Sequence, residues 1–233
     1  MQNNYNSYEE FITSLKALAD PKAQVKGLMQ YFVDNVKGDF DAFKCQTDDD
    51  FINRLDTKYD YKNPEHRAAA IADLRNRYNI SDDYLAYIND NYGKRNLAYA
   101  VNMAIIPQTL SENGLLTKGV CSNFASFVQV ACMQLGIPCA FVEGTIDNTK
   151  HAWNKIDLGD GKGLLNYDFT KVILIRDKAG KWYEKTTYGD WMGVTDEALV
   201  RLQPTLRIQK IDGVEIPEIN AGTIASQKNF IDL

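Results

Sequence analysis

Apolar residues in the first hundred positions recur three or four residues apart, whereas those after position 138 alternate with polar residues or form short runs. The first spacing is typical of amphipathic helices and the second of strands. Ser7 and Glu10 have the spacing of a capping box, and Asp20 followed by Pro21 predicts the start of a second helix. Similar signals predict four more helices before residue 107, with starts at 47–50, 63–65, 81–83 and 97.

The second half of the chain predicts one long helix followed by a sheet. Cys121 to Leu135 carries an apolar face and is followed by Gly136, as in a helix with a glycine cap. Turn residues then separate predicted strands at 139–142, 151–158, 164–169, 172–175, 182–183, 206–211 and 214–216, with a short helix at 195–202. We therefore expect an α+β fold in which a helical region, 1–106, packs on a core, 107–233, as one compact unit.

Charge and composition exclude some classes of partner. The 233-residue chain has a formal net charge of −5, which disfavours nucleic acid because phosphate binding requires a basic surface. No run approaches the ~20 apolar residues that span a bilayer, so no membrane association is expected. The first ten residues lack the features of a signal peptide. We expect a cytoplasmic protein, although the mature form of a secreted protein would look the same.

Four cysteines, Cys45, Cys121, Cys132 and Cys139, are irregularly spaced and include no CxxC pair. They do not indicate a disulfide scaffold, and most unpaired cysteines are small buried apolar side chains. Cys121 differs because it stands at the start of the long predicted helix, two residues after Gly119. A helix N-terminus favours a thiolate, and its unpaired N–H groups can hold an oxyanion.

A thiol nucleophile also requires a base, and the chain has only two histidines. His66 lies on a predicted solvated helix face, whereas His151 begins a predicted strand. Asp168 ends the next predicted strand, so antiparallel pairing would bring it to His151 as the orienting carboxylate. A metal site built from His151 and three of the cysteines is the alternative, but it lacks the closely spaced ligand pairs of zinc sites.

Four segments together resemble the transglutaminase-like superfamily, in which a cysteine heads a helix and a histidine and an aspartate follow on two strands. The segments are Gly119–Ala125, Leu135–Gly144, His151–Asn154 and Asp168–Thr170. The resemblance implies a papain-like α+β core, with the cysteine-bearing helix packed on an antiparallel sheet. It also implies that Cys121 is the nucleophile, His151 the general base and acid, and Asp168 the orienting group. No cofactor is implied, and no calcium-binding loop is evident.

Three further residues are candidates for the substrate cleft or the oxyanion site. Gln108 is the nearest upstream side-chain amide that could donate to an oxyanion, although an exposed loop glutamine is the alternative. Trp153 could line a tunnel for the acyl group or belong to the core. Asn154 could brace the strand that carries the histidine.

These residues predict attack on a peptide or side-chain amide and a thioester intermediate. We expect a transglutaminase-like cysteine protease or amidase, because hydrolysis requires no second binding site. A transglutaminase, in which an amine accepts the acyl group, is the first alternative, and a non-catalytic binding module on the same fold is the second. The expected partner is a peptide or protein substrate, and the oligomeric state stays open.

Overall fold

The computed structural model describes residues 5–78, 80, 82–104, 113–173 and 192–223. Gln108 and the predicted strand at 182–183 lie outside these residues. Of the predicted strand at 172–175, the first two residues are described, and they are helical. No helix in these ranges is long and apolar enough to cross a membrane.

The helices begin at residues that can cap them. Ser7, Asp20, Asp48 and Asn63 each accept a backbone N–H of the first turn that follows, which supplies a partner that the helix itself lacks. The helices are α1 (Tyr8–Lys16), α2 (Pro21–Asn35), α3 (Phe40–Thr47), α4 (Asp49–Lys58), α5 (Pro64–Arg77), α6 (Asp82–Tyr92), α7 (Leu97–Ala104), α8 (Cys121–Leu135) and α9 (Asp196–Leu202).

The strands form one short pair and one larger sheet. They are β1 (Lys37–Gly38), β2 (Lys118–Gly119), β3 (Cys139–Ile146), β4 (Thr149–Ile156), β5 (Leu165–Tyr167), β6 (Met192–Val194), β7 (Arg207–Ile211) and β8 (Val214–Ile219). β1 and β2 pair in parallel, whereas the others form an antiparallel sheet in the order β6-β5-β4-β3-β7-β8. The predicted α+β class is therefore confirmed.

The chain divides into two compact units, one of Lys37–Asn123 and one of Met1–Val36 together with Phe124–Leu233. This division falls at other positions than the predicted boundary between 106 and 107, and the domain organisation itself stays a prediction. The physical reason for the difference lies in α1 and α2, whose aromatic side chains pack with α8.

The Lys37–Asn123 unit contains α3 to α7 and the β1–β2 pair. Its core is formed by apolar side chains of the helices, among them Leu55, Leu74, Ile88, Tyr92 and Leu97. The Asp56 carboxylate accepts the backbone N–H groups of Leu97 and Ala98 at 2.6 and 3.2 Å, so α4 caps α7 across a long sequence separation. Asp39 donates its backbone N–H to the Gly119 carbonyl at 2.8 Å, which holds the segment before α8 to β1.

The second unit joins α1 and α2 to α8 through aromatic rings. The ring of Phe127 on α8 lies 6.2 Å from that of Phe11 and 5.9 Å from that of Tyr31, measured between centroids. The ring centroids of Phe32 on α2 and Phe169 are 4.8 Å apart. Phe169 directly follows Asp168. The first helices therefore contribute to the core immediately beside residue 168.

Candidate active site

The structure brings His151 and Asp168 together. β4 and β5 pair with Asn154 opposite Tyr167, so continuing this register places Asp168 opposite Trp153 and diagonally across from His151 on the same face. The Asp168 Oδ2 is 2.8 Å from the His151 Nε2, and only 11 % of the histidine and 4 % of the aspartate side chain are exposed. A hydrogen bond of this length to an ionised group is strong and restricts the orientation of the imidazole ring.

The surroundings of Asp168 keep its carboxylate ionised. The backbone N–H of Thr170 donates to Oδ1 at 3.0 Å. Burial by itself raises the pKa of the carboxyl, but attraction to His151 and the hydrogen bond with it, together with Lys171, hold the pKa below its usual value. The carboxylate can therefore stabilise a positively charged imidazole at neutral pH.

Trp153 packs against the histidine ring. The two rings are stacked, with centroids 5.7 Å apart and planes inclined by 23°, because alternate residues of β4 share one face. The indole is buried against Val142 and Leu199, and its Nε1–H donates to the Asn166 Oδ1 at 2.8 Å. This burial favours a core position that supports the histidine, and the lining of an acyl tunnel stays a prediction.

Asn154 lies on the opposite face of β4 and is buried. Its Nδ2 donates to the Ala125 carbonyl of α8 at 2.9 Å and contacts the Cys139 Sγ at 3.6 Å. Within the described ranges its Oδ1 is buried with no hydrogen-bond partner. The bond to Ala125 ties the early part of α8 to β4, which favours the bracing role over a place in the substrate cleft.

Cys121 is the first residue of α8 and is 9 % exposed. Val120 occupies the N-cap position, where its side chain offers no oxygen to the N–H groups of the first turn. Instead the Asn123 Oδ1 accepts the Val120 N–H at 3.0 Å, which is one half of a capping box. By its contacts Cys121 belongs to the Lys37–Asn123 unit, whereas His151 and Asp168 belong to the other unit.

Two of the other cysteines are in surroundings that disfavour a thiolate. Burial, with a smaller effect of Asp48, raises the pKa of the Cys45 thiol to about 12. A hydrogen bond with Cys139, together with burial, raises the pKa of the Cys132 thiol above its usual value. Among the described residues, no group of three or more His, Cys, Asp or Glu side chains is placed to hold a metal ion.

Comparison with known families supports the resemblance. Residues 61–169 match the family model described as the transglutaminase-like superfamily. This segment is similar to members of that superfamily. It spans just under half of the chain, contains all three predicted triad residues and extends upstream of residue 107 to include α5, α6 and α7.

One similar solved structure is described as "Crystal structure of a TGase". Its TM-score is 0.37 and its sequence identity 17 %, over 76 % of this chain and 32 % of that chain. This chain therefore spans roughly a third of that protein. Comparison with curated proteins gives no match.

The segment that matches the family model contains two residues near the histidine that sequence reasoning does not single out. Asn166 is fully buried on β5 and holds Trp153. A Cβ at Gly144 would lie 1.9 Å from the Arg207 carbonyl oxygen and 3.0 Å from the Trp153 ring, so only glycine permits this approach of β7 to β3. The available signal for Asn166 is its position two residues before Asp168, which places both on one face of the strand.

Proposed function

We propose that the chain is a cysteine enzyme that hydrolyses peptide or protein amides through a thioester. Cys121 is the nucleophile, His151 the general base and acid, and Asp168 the orienting group. The enclosed His151–Asp168 hydrogen bond of 2.8 Å carries this proposal, because an ionised carboxylate on one imidazole nitrogen is what a triad histidine requires. The superfamily includes cysteine-nucleophile acyltransferases and peptidases, which agrees with this chemistry.

The proposed reaction follows from the bond that His151 makes. Since Asp168 engages Nε2, proton exchange with the reacting groups proceeds through Nδ1. The Cys121 thiolate attacks the amide carbonyl carbon, and the imidazolium then protonates the departing amine as the C–N bond breaks. In the second half, His151 takes a proton from water, the hydroxide oxygen bonds to the thioester carbonyl, and the thiolate leaves.

The position of Cys121 at the start of α8 supports a role for backbone N–H groups in this cycle. The positive end of a helix favours both the thiolate and the oxyanion that develops on the carbonyl oxygen. We propose that the backbone N–H of Cys121 donates to this oxyanion. Because the N-cap residue is Val120, no capping side chain at that position competes for the N–H groups of the first turn. Gln108 stays a prediction as the second donor.

Hydrolysis is preferred over amine transfer because water is always present, whereas transfer requires a second site that holds an amine. The chemistry up to the thioester is the same in both reactions, so the acyl acceptor alone distinguishes a peptidase or amidase from a transglutaminase. A peptide or protein substrate and a cytoplasmic location belong to the same proposal.

The test is incubation of the protein with a glutamine-containing peptide, with and without a labelled primary amine. We expect the peptide to lose ammonia or to be cleaved, with no label incorporated. Cys121→Ser should abolish the reaction, whereas Cys45→Ala, which removes a buried thiol outside the proposed triad, should retain it. Incorporation of the label would show that the protein is a transglutaminase rather than a hydrolase. Turnover by Cys121→Ser would contradict the thioester mechanism itself.

A further inference from the structure

Asn166 connects the histidine face of β4 to the start of α9. Its Oδ1 accepts the Trp153 Nε1–H at 2.8 Å, and its Nδ2 donates to the Val194 carbonyl at 3.1 Å and to the Asp196 Oδ1 at 2.8 Å. Asp196 is held in turn by the Lys155 Nζ at 2.8 Å. These bonds satisfy a fully buried amide on both its oxygen and its nitrogen.

The three bonds determine which way the Asn166 amide points. Rotating it by half a turn would place its NH₂ against the indole N–H and its oxygen against the Val194 carbonyl and the Asp196 carboxylate. All three contacts would then be repulsive, so the oxygen is directed at Trp153. A buried indole with a directed acceptor has little freedom to rotate about its side-chain bonds.

The fixed indole matters because the histidine ring lies on it. The centroids of the stacked Trp153 and His151 rings are 5.7 Å apart, and the His151 Nε2 is bonded to the Asp168 Oδ2. Asn166 and Asp168 share one face of the chain at β5, as His151 and Trp153 share one face of β4. Two parallel hydrogen bonds therefore cross between the strands, one to the imidazole and one to the indole beneath it.

We propose that Asn166 is a positioning residue for the reaction: by holding Trp153 it keeps the His151 imidazole in the orientation that Asp168 and the nucleophile require. The role of His151 in that reaction rests on the proposed function. Loss of the Asn166 oxygen leaves the buried indole N–H without its acceptor, so the indole shifts and the imidazole gains rotational freedom. The His151–Asp168 bond is then formed for a smaller fraction of the time.

The test uses Asn166→Ala and Trp153→Phe in the full chain, each carrying His66→Gln so that His151 is the only histidine. Trp153→Phe keeps an aromatic ring under the imidazole but removes the N–H. The matched control is Asn91→Ala, which removes another buried asparagine whose Nδ2 donates to the Tyr87 carbonyl at 2.9 Å in the Lys37–Asn123 unit. The readouts are the NMR signal of the imidazole Nε2–H proton and the rate at which iodoacetamide alkylates Cys121 at pH 6.

In the parent protein we expect a downfield Nε2–H signal that exchanges slowly with water. Asn166→Ala should broaden or remove this signal and slow alkylation about tenfold, which is a fraction of the roughly 10² that a misplacement of 1 Å can cost. Trp153→Phe should act in the same direction, and Asn91→Ala should change neither readout. If Asn166→Ala does not fold, Trp153→Phe decides the question.

An unchanged Nε2–H signal in the folded variants, with a loss of melting temperature like that of Asn91→Ala, would overturn the proposal and leave Asn166 with a structural role alone. Failure of the proposed function has a different signature, because Cys121 of the parent protein would then react no faster than Cys45. The Nε2–H signal does not depend on catalysis, so it still reports whether Asn166 orients the imidazole.

Discussion

Asp168→Asn tests the orienting carboxylate most sharply because two donors converge on its two oxygens. The Thr170 backbone N–H donates to Oδ1 at 3.0 Å, and the His151 Nε2 bonds Oδ2 at 2.8 Å. An amide has one oxygen, and the backbone N–H cannot be removed. The asparagine therefore turns its oxygen to Thr170 and its NH₂ to His151, which forces the imidazole to accept at Nε2 and to carry its proton on Nδ1.

In the proposed mechanism His151 takes a proton at Nδ1, and this tautomer cannot do so because its Nδ1 already carries one. A change of this kind at the third position of a triad lowers kcat by about 10⁴, and a loss of about 10³ corresponds to about 4 kcal/mol of transition-state stabilisation. We expect the rate of amide hydrolysis to fall by roughly 10²- to 10⁴-fold. Alkylation at pH 6 depends mainly on the thiolate population, so a loss of about tenfold, equal to about 1.4 kcal/mol, is expected there.

The assay is the second-order rate of iodoacetamide alkylation at Cys121, followed by peptide mass spectrometry from pH 5 to pH 9. The matched control is Asp212→Asn, because the Asp212 Oδ1 also accepts a backbone N–H, from Phe141 at 2.7 Å, and a side-chain donor, from Gln129 at 2.8 Å. Asp212→Asn should leave the rate unchanged. If the alkylation rate of Cys121 in Asp168→Asn lies within twofold of the rate in the unmodified protein, the reasoning about converging donors is refuted.

Three further outcomes follow from the described contacts. Because the folded-state pKa of Asp168 is lowered, its stabilising effect is complete above the unfolded value of about 3.9 and is lost as the pH falls further, through the folded value. Urea unfolding should therefore show the unmodified protein about 2 kcal/mol more stable than Asp168→Asn at pH 7 and a difference that shrinks below pH ~4, and a constant difference would contradict this. Val120→Thr adds a capping hydroxyl to α8, so thermal unfolding should show about 1 kcal/mol of added stability. Alkylation of Cys121 should become slower, because the hydroxyl then occupies an N–H group of the first turn of α8. Faster alkylation would argue against the proposed role of those N–H groups. A fragment of residues 107–233 lacks the aromatic partners Phe11, Tyr31 and Phe32, so its circular dichroism should show no cooperative unfolding, whereas a cooperatively folded fragment would favour the predicted boundary.

The parts of the fold that depend on local signals could be predicted from the sequence. Ser7 and Asp20 cap the helices that they were expected to cap, and α8 runs from Cys121 to Leu135 as its apolar pattern indicates. α3 is absent from the predicted helices, although its N-cap residue Asp39 is a local signal of the same kind as Asp20. In the structure the Asp39 carboxylate accepts the Ala42 N–H at 3.0 Å and so begins α3.

The contact between His151 and Asp168 could also be predicted, because two short antiparallel strands have few registers in which the apolar side chains are buried. The second contact, between Trp153 and Asn166, could not. β5 has only three residues, too few for an alternation pattern to be recognised, and the burial of Asn166 depends on partners at 194 and 196. The division into units escaped prediction for a similar reason, since Phe11 and Phe127 are neighbours only in the folded chain.

The most direct test of the central claim is mass spectrometry of the intact protein, quenched in acid during turnover of a glutamine-containing peptide. We expect an increase in mass equal to the acyl group, located by peptide mapping on Cys121 and removed by hydroxylamine, as a thioester requires. His151→Ala should prevent its formation. An adduct on another residue, or substrate turnover without any adduct on Cys121 under conditions that trap thioesters, would contradict the account.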